Sequence, residues 1–499
     1  MAYERVKDFV FENKWSLLLF FISLVFFIIQ HNLDLVWDFA SYFMNAEHLF
    51  GGGEIYEVYR APMISFIIGI FLWLGNFAEY VYIVIAAVLF FVGNFKLSGV
   101  LHDKYFYKFD LEKWFTRFLF YFLSLNVFVL YSGLRGGTEL LGLAFFELFL
   151  AFLISGKISG YFLGLAVLSR YNFLYFLPLL FFNKSLKTII YNLGTFVLVI
   201  LPWYVYSLLE WGNGLTSIVD SYNLNIFSRR GIEEAVNISS FLDVFNWLLP
   251  LFLIGFFVIF YYSCKEKDKT SLKYGSLFLL IGLIVVFDFF NTPFKITRYL
   301  FNLTLPIVFF SITGLLFIFS KIPKNLNKEK AKRVLAYVSI AILIVSSVGL
   351  TLYFLENIND PLYKSVAEEI KNSNLNGCSF FSSRWVPINY YNPSTKPLKS
   401  SLEKAIQRGH PVILFKERDG SYEGYKAEEL EKYRVVVKNP SYVILSSQEL
   451  NSDNCVQWRG YSSPAIGNTC EFVSERAEEK FGLKNFSYDV CSFVNPSLP

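Results

Sequence analysis

Long apolar runs alternate with short polar connections over the first 355 residues of the chain. The runs cover residues 15–29, 80–95, 115–132, 139–155, 159–168, 171–182, 186–208, 244–262, 271–290, 299–319 and 334–355. A helix that crosses the apolar core of a bilayer takes about 20 residues, and most of the runs approach this length. The pattern predicts an α-helical polytopic membrane protein with about eleven membrane segments.

Two segments leave the topology open. Residues 63–75 form a short apolar run after Pro62, and residues 159–182 form either one span or two short helices that dip into the membrane and return. If 63–75 does not cross and 159–182 dips from the inner side, the cytoplasmic connections hold 21 Lys and Arg residues and the outer connections only seven. The alternative exposes Lys96, Lys104, Lys108 and Lys113 outside. Because positive residues favour the cytoplasm, we expect the N-terminus there and the C-terminus in an extracellular, periplasmic or lumenal space.

Charge divides the chain near residue 355. The last 144 residues carry 17 of the 45 Lys and Arg residues and 18 of the 41 Asp and Glu residues. We therefore expect a membrane domain over 1–355, with outer loops at 30–62 and 209–243, and an extracytoplasmic domain over 356–499. With 54% hydrophobic residues, 57 Phe and repeated apolar runs, the composition argues against a soluble enzyme, a disordered chain and a nucleic-acid-binding protein, whereas the net charge of +4 says little about partners.

The C-terminal domain alternates helix-like and strand-like segments, which predicts a small α/β fold. Helices are expected at Pro361–Asn374, Ser400–Arg408 and Ala427–Tyr433, and strands at Cys378–Ser382, Pro411–Phe415, Val435–Val437 and Tyr442–Leu445. Four cysteines lie in this domain: Cys378, Cys455, Cys470 and Cys491. We interpret them as two disulfides in an oxidising compartment. Free or metal-binding thiols are the alternative, although no CxxC pair or nearby histidine supports zinc.

The basic residues of the two membrane faces differ in kind. Of the 21 inner residues 18 are Lys, whereas the outer seven are Arg60, Arg135, Arg170, Arg229, Arg230, Arg298 and Lys295. The positive-inside rule disfavours arginine on the outer face, so the position of these residues requires another explanation. Arginine binds phosphate and carboxylate with paired donors, which favours a site for an anion such as a lipid phosphate. Snorkelling, or pairing with Asp and Glu, is the alternative.

Acidic residues accompany the outer arginines. Asp38 lies in the first outer loop, and its spacing to Tyr42 and Ala46 places the three on one face of a predicted helix. Gly51-Gly52-Gly53 ends that helix, and residues 63–75 are expected to form a helix in the outer interface. A capping role is the simplest alternative for Asp38.

A second acid, Glu139, follows the turn Arg135-Gly136-Gly137-Thr138 and opens a predicted span. Both a helix-terminal role and a functional role fit this position. Glu147 lies two turns further along, inside the span, where a carboxylate is functional or paired. With four His, no P-loop and no dinucleotide-binding motif, a Ser-His-Asp triad, a histidine-rich metal site and ATP use are not expected.

The ordered set of motifs resembles the GT-C class of membrane glycosyltransferases, which includes protein O-mannosyltransferases and lipid A aminoarabinose transferases. The motifs are the Asp38 helix with Arg60-Ala61-Pro62, the Arg135–Glu139 turn, Gly164-Leu165-Ala166-Val167-Leu168-Ser169-Arg170, and Thr297-Arg298-Tyr299 followed by Pro306. The chain lacks an Asp-Glu pair at position 38, a double proline at 61–62 and a second paired acidic motif.

The resemblance implies transfer of a hexose, such as mannose, from a polyprenyl (dolichyl) phosphate to a hydroxyl group of a protein, lipid or glycan at the outer face, with inversion. Asp38 would be the general base, and Glu139 would orient a substrate or share a divalent cation (Mg, Mn or Zn) with Asp38. The implied substrate-binding residues are Tyr42, Tyr56, Arg60, Arg135, Arg170, Tyr171, Arg229, Arg230, Arg298 and Tyr299. Among them, Arg170 and Arg298 would bind the phosphate, and Arg229 or Arg230 would act as a gate.

Two other functions stay open from the sequence. A transporter or flippase for a lipid-linked anionic glycan would also need outer arginines, but it should show internal repeats and charges in the middle of the membrane. A non-catalytic membrane protein that scaffolds an extracellular domain would give no reason for those arginines.

Overall fold

The computed structural model is predominantly helical, as the apolar runs predict. It describes residues 2–447, apart from 54, 76, 183–184, 223–224, 226–234, 294, 322–327, 358–359, 374, 376, 399–400 and 418. Within this part, seven helical stretches are long and apolar enough to cross a membrane: Lys14–Leu33, Phe77–Lys104, Leu186–Trp211, Ile238–Cys264, Lys269–Asn291, Thr297–Ser320 and Lys328–Glu356. The chain is an integral membrane protein with several spans, whereas the number of eleven segments stays a prediction.

The described helices of the membrane part are numbered in chain order. They are α1 (Ala2–Glu12), α2 (Lys14–Leu33), α3 (Trp37–Ala46), α4 (Met63–Ile70), α5 (Phe77–Lys104), α6 (Lys113–Ser124), α7 (Val127–Ser132), α8 (Glu139–Ile154), α9 (Gly160–Ser169), α10 (Leu186–Trp211), α11 (Thr216–Tyr222), α12 (Ile238–Phe245), α13 (Leu249–Cys264), α14 (Lys269–Asn291), α15 (Thr304–Ser320) and α16 (Lys328–Glu356). A π-helical turn covers Glu47–Gly51, and 3-10 stretches cover Leu72–Leu74, Phe106–Phe109, Tyr171–Phe182, Asn246–Leu248 and Thr297–Leu303.

Helix α8 lies in the interior of the membrane part, and nearly all of its residues are buried. It packs along α5 at Gly93, where a Cβ atom would lie only 2.8 Å from the carbonyl oxygen of Ala144. Helices α13 and α15 approach as closely through Gly255 and Gly314. Small residues at such crossings let helix backbones approach, which favours association in lipid. The contact at Ala144 thus fixes α8, the helix that begins with Glu139, against α5.

The two segments that left the topology open both form short helices. Helix α4 has eight residues, about 12 Å of helix, which is far short of the membrane core of about 30 Å. Helix α9 ends at Ser169 and the next 3-10 stretch begins at Tyr171, with Arg170 extended between them (φ −160°, ψ 120°). Residues 159–182 therefore make two short helices that meet at Arg170.

The C-terminal part contains the predicted mixture of helices and strands. Its elements are α17 (Asp360–Asn372), β1 (Phe380–Ser382), α18 (Trp385–Tyr391), β2 (Thr395–Pro397), α19 (Leu402–Gln407), β3 (Val412–Phe415), α20 (Ala427–Leu430), β4 (Arg434–Asn439) and β5 (Tyr442–Ser446). The strands form one sheet in the order β2-β1-β3-β5-β4, in which β1 is parallel to β2 and β3, and β5 is antiparallel to β3 and β4. Helix α18 and strand β2 were not predicted from the sequence.

The predicted disulfides stay predictions. Cys378 is fully buried beside β1. The other three cysteines, Cys455, Cys470 and Cys491, lie outside the described residues.

Helix α18 attaches the C-terminal part to α3. The ring of Trp385 meets that of Trp37 edge to face, with centroids 6.1 Å apart. The Tyr390 hydroxyl donates a hydrogen bond to Glu79 at the start of α5. The other carboxylate oxygen of Glu79 lies 2.6 Å from Nε2 of His31 at the end of α2. The C-terminal part is thus anchored to two membrane helices and to the helix that carries Asp38.

Candidate active site

A cavity of about 490 Å³ lies where α3, α8, α11, α14 and the residues around Arg170 and Arg298 meet. Its lining includes eight of the predicted site residues: Asp38, Tyr42, Arg60, Glu139, Arg170, Tyr171, Arg298 and Tyr299. The rest of the lining is formed by Trp37, Tyr59, Ala61, Thr138, Asn172, Ser221, Tyr222, Asn225, Asp288, Thr292 and Ile296. Motifs that are far apart along the chain therefore converge on one cavity.

Asp38 lies in the first turn of α3, where the helix dipole favours a negative charge. Its Oδ1 accepts a hydrogen bond from Nη1 of Arg60 at 2.6 Å, and its Oδ2 lies 2.5 Å from Nη2 of Arg298. Burial raises the pKa of Asp38, but the two guanidinium groups outweigh burial and hold the pKa well below its ordinary value. Asp38 is therefore a carboxylate anion with both oxygens engaged.

Glu139 is the first residue of α8 and is almost completely buried. Its Oε1 accepts a hydrogen bond from Nη1 of Arg170 at 2.8 Å, and Oγ1 of Thr138 donates to its Oε2 at 3.1 Å. Nε of Arg298 lies 3.2 Å from the same Oε1, within ion-pair distance but without a directed hydrogen bond. Arg298 therefore bridges Asp38 and Glu139 and retains one donor that is not aligned with a described acceptor.

Two glycines let the turn before α8 approach these charges. A Cβ atom at Gly136 would lie 2.6 Å from Nη1 of Arg298 and 3.0 Å from Oε2 of Glu139. Gly137 has a φ of +86°, a conformation that side chains with a Cβ atom rarely adopt. Its carbonyl oxygen accepts a hydrogen bond from the Tyr82 hydroxyl. The lack of a side chain at Gly136 and the left-handed backbone at Gly137 thus let the turn lie against Arg298 and Glu139.

Aromatic rings and a second acid hold Arg60. Its guanidinium carbon lies 5.5 Å from the ring centroid of Tyr42 and 4.9 Å from that of Tyr59, distances at which cations are attracted to aromatic faces. Nε of Arg60 donates to Glu57 at 3.0 Å. Burial is the main cause that raises the pKa of Tyr42 to about 12. This phenol is therefore neutral at physiological pH.

The hydroxyl of Tyr171 is engaged in the wall of the cavity. It lies 2.6 Å from Oγ of Ser217 and accepts a hydrogen bond from Nε1 of Trp203 at 3.0 Å, so the protein itself already engages this hydroxyl. The ring centroid of Tyr299 lies 5.9 Å from the guanidinium carbon of Arg170. Both tyrosines thus help to fix the wall around Arg170.

Four predicted substrate-binding residues are not seen in the cavity. Tyr56 is fully buried in a neighbouring aromatic cluster, and Arg135 forms an ion pair with Asp34 at 2.5 Å. Neither side chain belongs to the lining. Arg229 and Arg230 lie outside the described residues, so their role as a gate stays a prediction.

Asp288 faces the cavity although no sequence motif includes it. It lies one turn before the end of α14, inside the apolar run 271–290. A carboxylate in such a run is itself a signal of function or pairing, and that signal was overlooked.

Arginine side chains already occupy both Asp38 and Glu139. Within the described residues, no three His, Cys, Asp or Glu side chains converge as metal ligands would. The guanidinium group of Arg298 lies between Asp38 and Glu139. A metal ion shared by these two carboxylates would have to displace it.

No protein family model matches the chain, and no curated protein sequence does. Similar solved structures include ArnT from Cupriavidus metallidurans bound to undecaprenyl phosphate, with a TM-score of 0.57, 10% sequence identity, and coverage of 87% of this chain and 98% of that chain. The apo structure of the same ArnT gives a TM-score of 0.56, 12% identity, and coverage of 89% and 98%. The chain therefore has the fold of ArnT. This is the GT-C fold that the resemblance of its sequence motifs implied.

Proposed function

We propose that the chain is a membrane glycosyltransferase that transfers a sugar from a polyprenyl phosphate to a hydroxyl group of a protein, lipid or glycan. The observation that carries this proposal is the convergence of Arg60, Arg170 and Arg298 on one cavity that also contains Asp38. Three guanidinium groups suit a phosphate, and a carboxylate beside them suits removal of a hydroxyl proton. ArnT, which shares the fold, binds undecaprenyl phosphate, and this supports the same class of donor lipid here.

Phosphate binding would redistribute the arginines. In the structure Asp38 pairs with Arg60 and Arg298, and Glu139 pairs with Arg170 and Arg298. A phosphate group competes for the same donors because its oxygens accept charge-assisted hydrogen bonds from arginine at least as well as a carboxylate does. The phosphate of the donor lipid would therefore bind guanidinium groups that Asp38 and Glu139 hold in its absence.

This exchange would also activate the base. While two arginines hold Asp38, its depressed pKa makes it a weak proton acceptor. When one arginine moves to the phosphate, the pKa of Asp38 rises and one carboxylate oxygen becomes free. That oxygen can then accept the proton of the acceptor hydroxyl. Donor binding would thus precede activation of the acceptor.

In the chemical step, the acceptor oxygen forms a bond to the anomeric carbon while the bond from that carbon to the phosphate oxygen breaks. The acceptor proton passes to Asp38, and the carrier phosphate leaves as an anion that the arginines stabilise. No general acid is needed, because the departing phosphate is already a weak base. A single displacement inverts the configuration of the anomeric carbon.

For Glu139 we propose a positioning role. Its carboxylate is almost completely buried and holds Arg170 and Arg298 at 2.8 and 3.2 Å. It would aim both guanidinium groups at the phosphate, whereas Asp38, with 19% of its side chain exposed, is the one of these two acids that substrate can reach.

We propose that the cavity opens outside the cytoplasm. Trp37 lines the cavity and also packs on Trp385, so the cavity and the C-terminal part share one side. At the opposite end of α5, Lys108 pairs with Asp268, and Lys332 pairs with acids nearby. Because lysine-rich ends favour the cytoplasm, the N-terminus would lie inside and the C-terminal part outside.

The test is sugar transfer by the purified full-length chain in nanodiscs, with radiolabelled polyprenyl-phosphate sugars and a membrane extract as the source of acceptors. We expect transfer by the wild type and a loss of at least about 100-fold in Asp38→Asn, with donor lipid still bound. Asp34→Asn is the matched control, because Asp34 pairs with Arg135 outside the cavity. It should transfer at close to the wild-type rate.

The same experiment separates the rival function. A transporter or flippase for a lipid-linked anionic glycan would use the same arginines but would not break the bond to the sugar. Donor binding by wild type and Asp38→Asn alike, without transfer to any acceptor offered, would favour that function. Absence of binding to every polyprenyl phosphate would contradict both.

A further inference from the structure

Asp288 differs from the other two acids of the cavity. Asp38 and Glu139 each lie within ion-pair distance of two arginines, which occupies their oxygens. Asp288 lines the same cavity from α14 and forms no ion pair with any residue that the structure describes. Arg170 attracts its charge from beyond ion-pair distance, and Asn172 is a polar neighbour in the lining of the same cavity. Asp288 therefore keeps hydrogen-bond acceptor capacity for a ligand.

Apart from Arg170, the polar cavity residues named with Asp288 are uncharged. Asn172, Tyr222 and Thr292 belong to the same cavity, and the backbone N–H of Thr292 donates to the Asp288 carbonyl oxygen at 3.1 Å. Such groups exchange hydrogen bonds with hydroxyl groups. The cavity thus has a cationic part, where Arg60 and Arg298 lie, and a part rich in uncharged donors and acceptors around one carboxylate.

This division would orient a sugar phosphate. The Asp288 carboxylate repels a phosphate, because like charges a few ångströms apart in a partly buried site disfavour each other. The arginines attract the phosphate instead. The sugar joined to that phosphate carries several hydroxyl groups, which are the donors that a carboxylate accepts. A phosphate on the arginines and a sugar beside Asp288 satisfy both parts of the cavity.

We infer that Asp288 and Asn172 form the sugar-binding part of the cavity, and that Asp288 determines specificity by accepting hydrogen bonds from hydroxyl groups of the donor sugar. This inference rests on the proposed glycosyl transfer and identifies the residues that recognise the donor sugar. Asp288 takes no part in proton transfer in this scheme, so its loss should weaken sugar recognition and leave phosphate binding intact.

The experiment compares two ligands of the full-length chain in nanodiscs: sugar-free undecaprenyl phosphate, and whichever polyprenyl-phosphate sugar the wild type transfers. In Asp288→Asn, we expect the Kd for undecaprenyl phosphate to stay within about twofold. We expect KM for the sugar-loaded donor to rise about tenfold or more, because a hydrogen bond to a charged acceptor is lost. Discrimination against donors that lack one sugar hydroxyl should shrink to the same degree. Asp243→Asn, which neutralises an exposed carboxylate outside the cavity, should match the wild type.

Three results would overturn the inference. They are equal weakening of both ligands, which would give Asp288 a structural role; an unchanged KM with a large fall in kcat, which would make it a proton acceptor; and no effect on either. Retained binding of undecaprenyl phosphate shows that the variant is folded. A wild type that binds no polyprenyl phosphate contradicts the proposed function itself, which is a different result from a failure at Asp288.

Discussion

Nη2 of Arg298 lies 2.5 Å from Oδ2 of Asp38 and joins the residues that follow α14 to the first outer loop. The same guanidinium group reaches Glu139 with its Nε. A planar guanidinium can serve two acids at once because its donors point in fixed, different directions. Arg298 thus couples the proposed base to the residue that begins α8.

Arg298→Lys keeps the charge but removes this geometry, because an ammonium group is a compact donor that cannot span both carboxylates. We expect kcat/KM for sugar transfer to fall at least about 100-fold, as for loss of one donor to a developing anion. Steady-state transfer assays would measure it. The matched control is Arg135→Lys, since Arg135 pairs with Asp34 away from the cavity. Equal activity of the two variants would contradict the role given to Arg298.

The sequence predicted the polar half of this site better than its walls. Arg170 and Arg298 were identified because the positive-inside rule disfavours arginine in the outer connections, whereas the roles of Asp38 and Glu139 were implied by the resemblance to the GT-C class. Pairing of the outer arginines with acids was one of the alternatives, but which acid pairs with which arginine was not predictable, since it depends on how four distant segments pack. Asp288 was not predicted because it lies inside an apolar run. The length and mean hydropathy of such a run change little when one of its residues is a carboxylate.

The helices, too, could be predicted only in part from the sequence. Apolar runs identified most of the membrane helices, but the run 115–132 is two helices, α6 and α7. Asn126 separates them by accepting hydrogen bonds from the backbone N–H groups of Phe128 and Val129. In the C-terminal part, α18 was missed because Trp385–Tyr391 is too short for a helical period to be visible. Its helical form is supported by packing against α3, which no local pattern encodes.

Glu147 is expected to be structural. It is buried in α8, and Nδ2 of Asn94 lies 2.9 and 2.8 Å from its two carboxylate oxygens. Glu147→Gln keeps a carbonyl acceptor for Asn94, so transfer should stay within about threefold of wild type. Glu147→Ala leaves a void and an unpaired buried amide, which should cost about 2–4 kcal/mol. Thermal unfolding in detergent, beside the transfer assay, tests this. Loss of transfer in Glu147→Gln at an unchanged melting temperature would instead make Glu147 functional.

Asp220 should make stability depend on pH. It is fully buried on α11, and neither carboxylate oxygen has a hydrogen-bond partner among the described residues. Burial raises its pKa from 3.8 to about 7. The folded chain therefore keeps a proton that the unfolded chain has lost, and this contribution to stability decreases as pH rises from about 4 to about 7.

Asp220→Asn removes this titration while keeping the size of the side chain. Relative to wild type, we expect its melting temperature to rise by roughly 2 °C or more at pH 8 and by less at pH 5. Asp243→Asn, which changes an exposed acid, should give the same small difference at both pH values. A difference between Asp220→Asn and wild type that does not vary with pH would show that Asp220 does not titrate in this range.

The contact between Trp37 and Trp385 should couple the C-terminal part to the cavity. Trp37 precedes Asp38 on α3 and lines the cavity, while its ring packs edge to face on Trp385. Trp385→Ala removes this support, and truncation of a large buried aromatic residue costs about 3–5 kcal/mol. We expect faster hydrogen exchange in α3 and α18 and a lower kcat for sugar transfer. The Kd for undecaprenyl phosphate should change less, because Arg170 and Glu139 do not depend on α18.

Trp247→Ala, at a half-exposed tryptophan that lies outside the cavity lining, is the control. If hydrogen exchange in α3 is the same in Trp385→Ala as in wild type, the C-terminal part does not support the helix that carries Asp38.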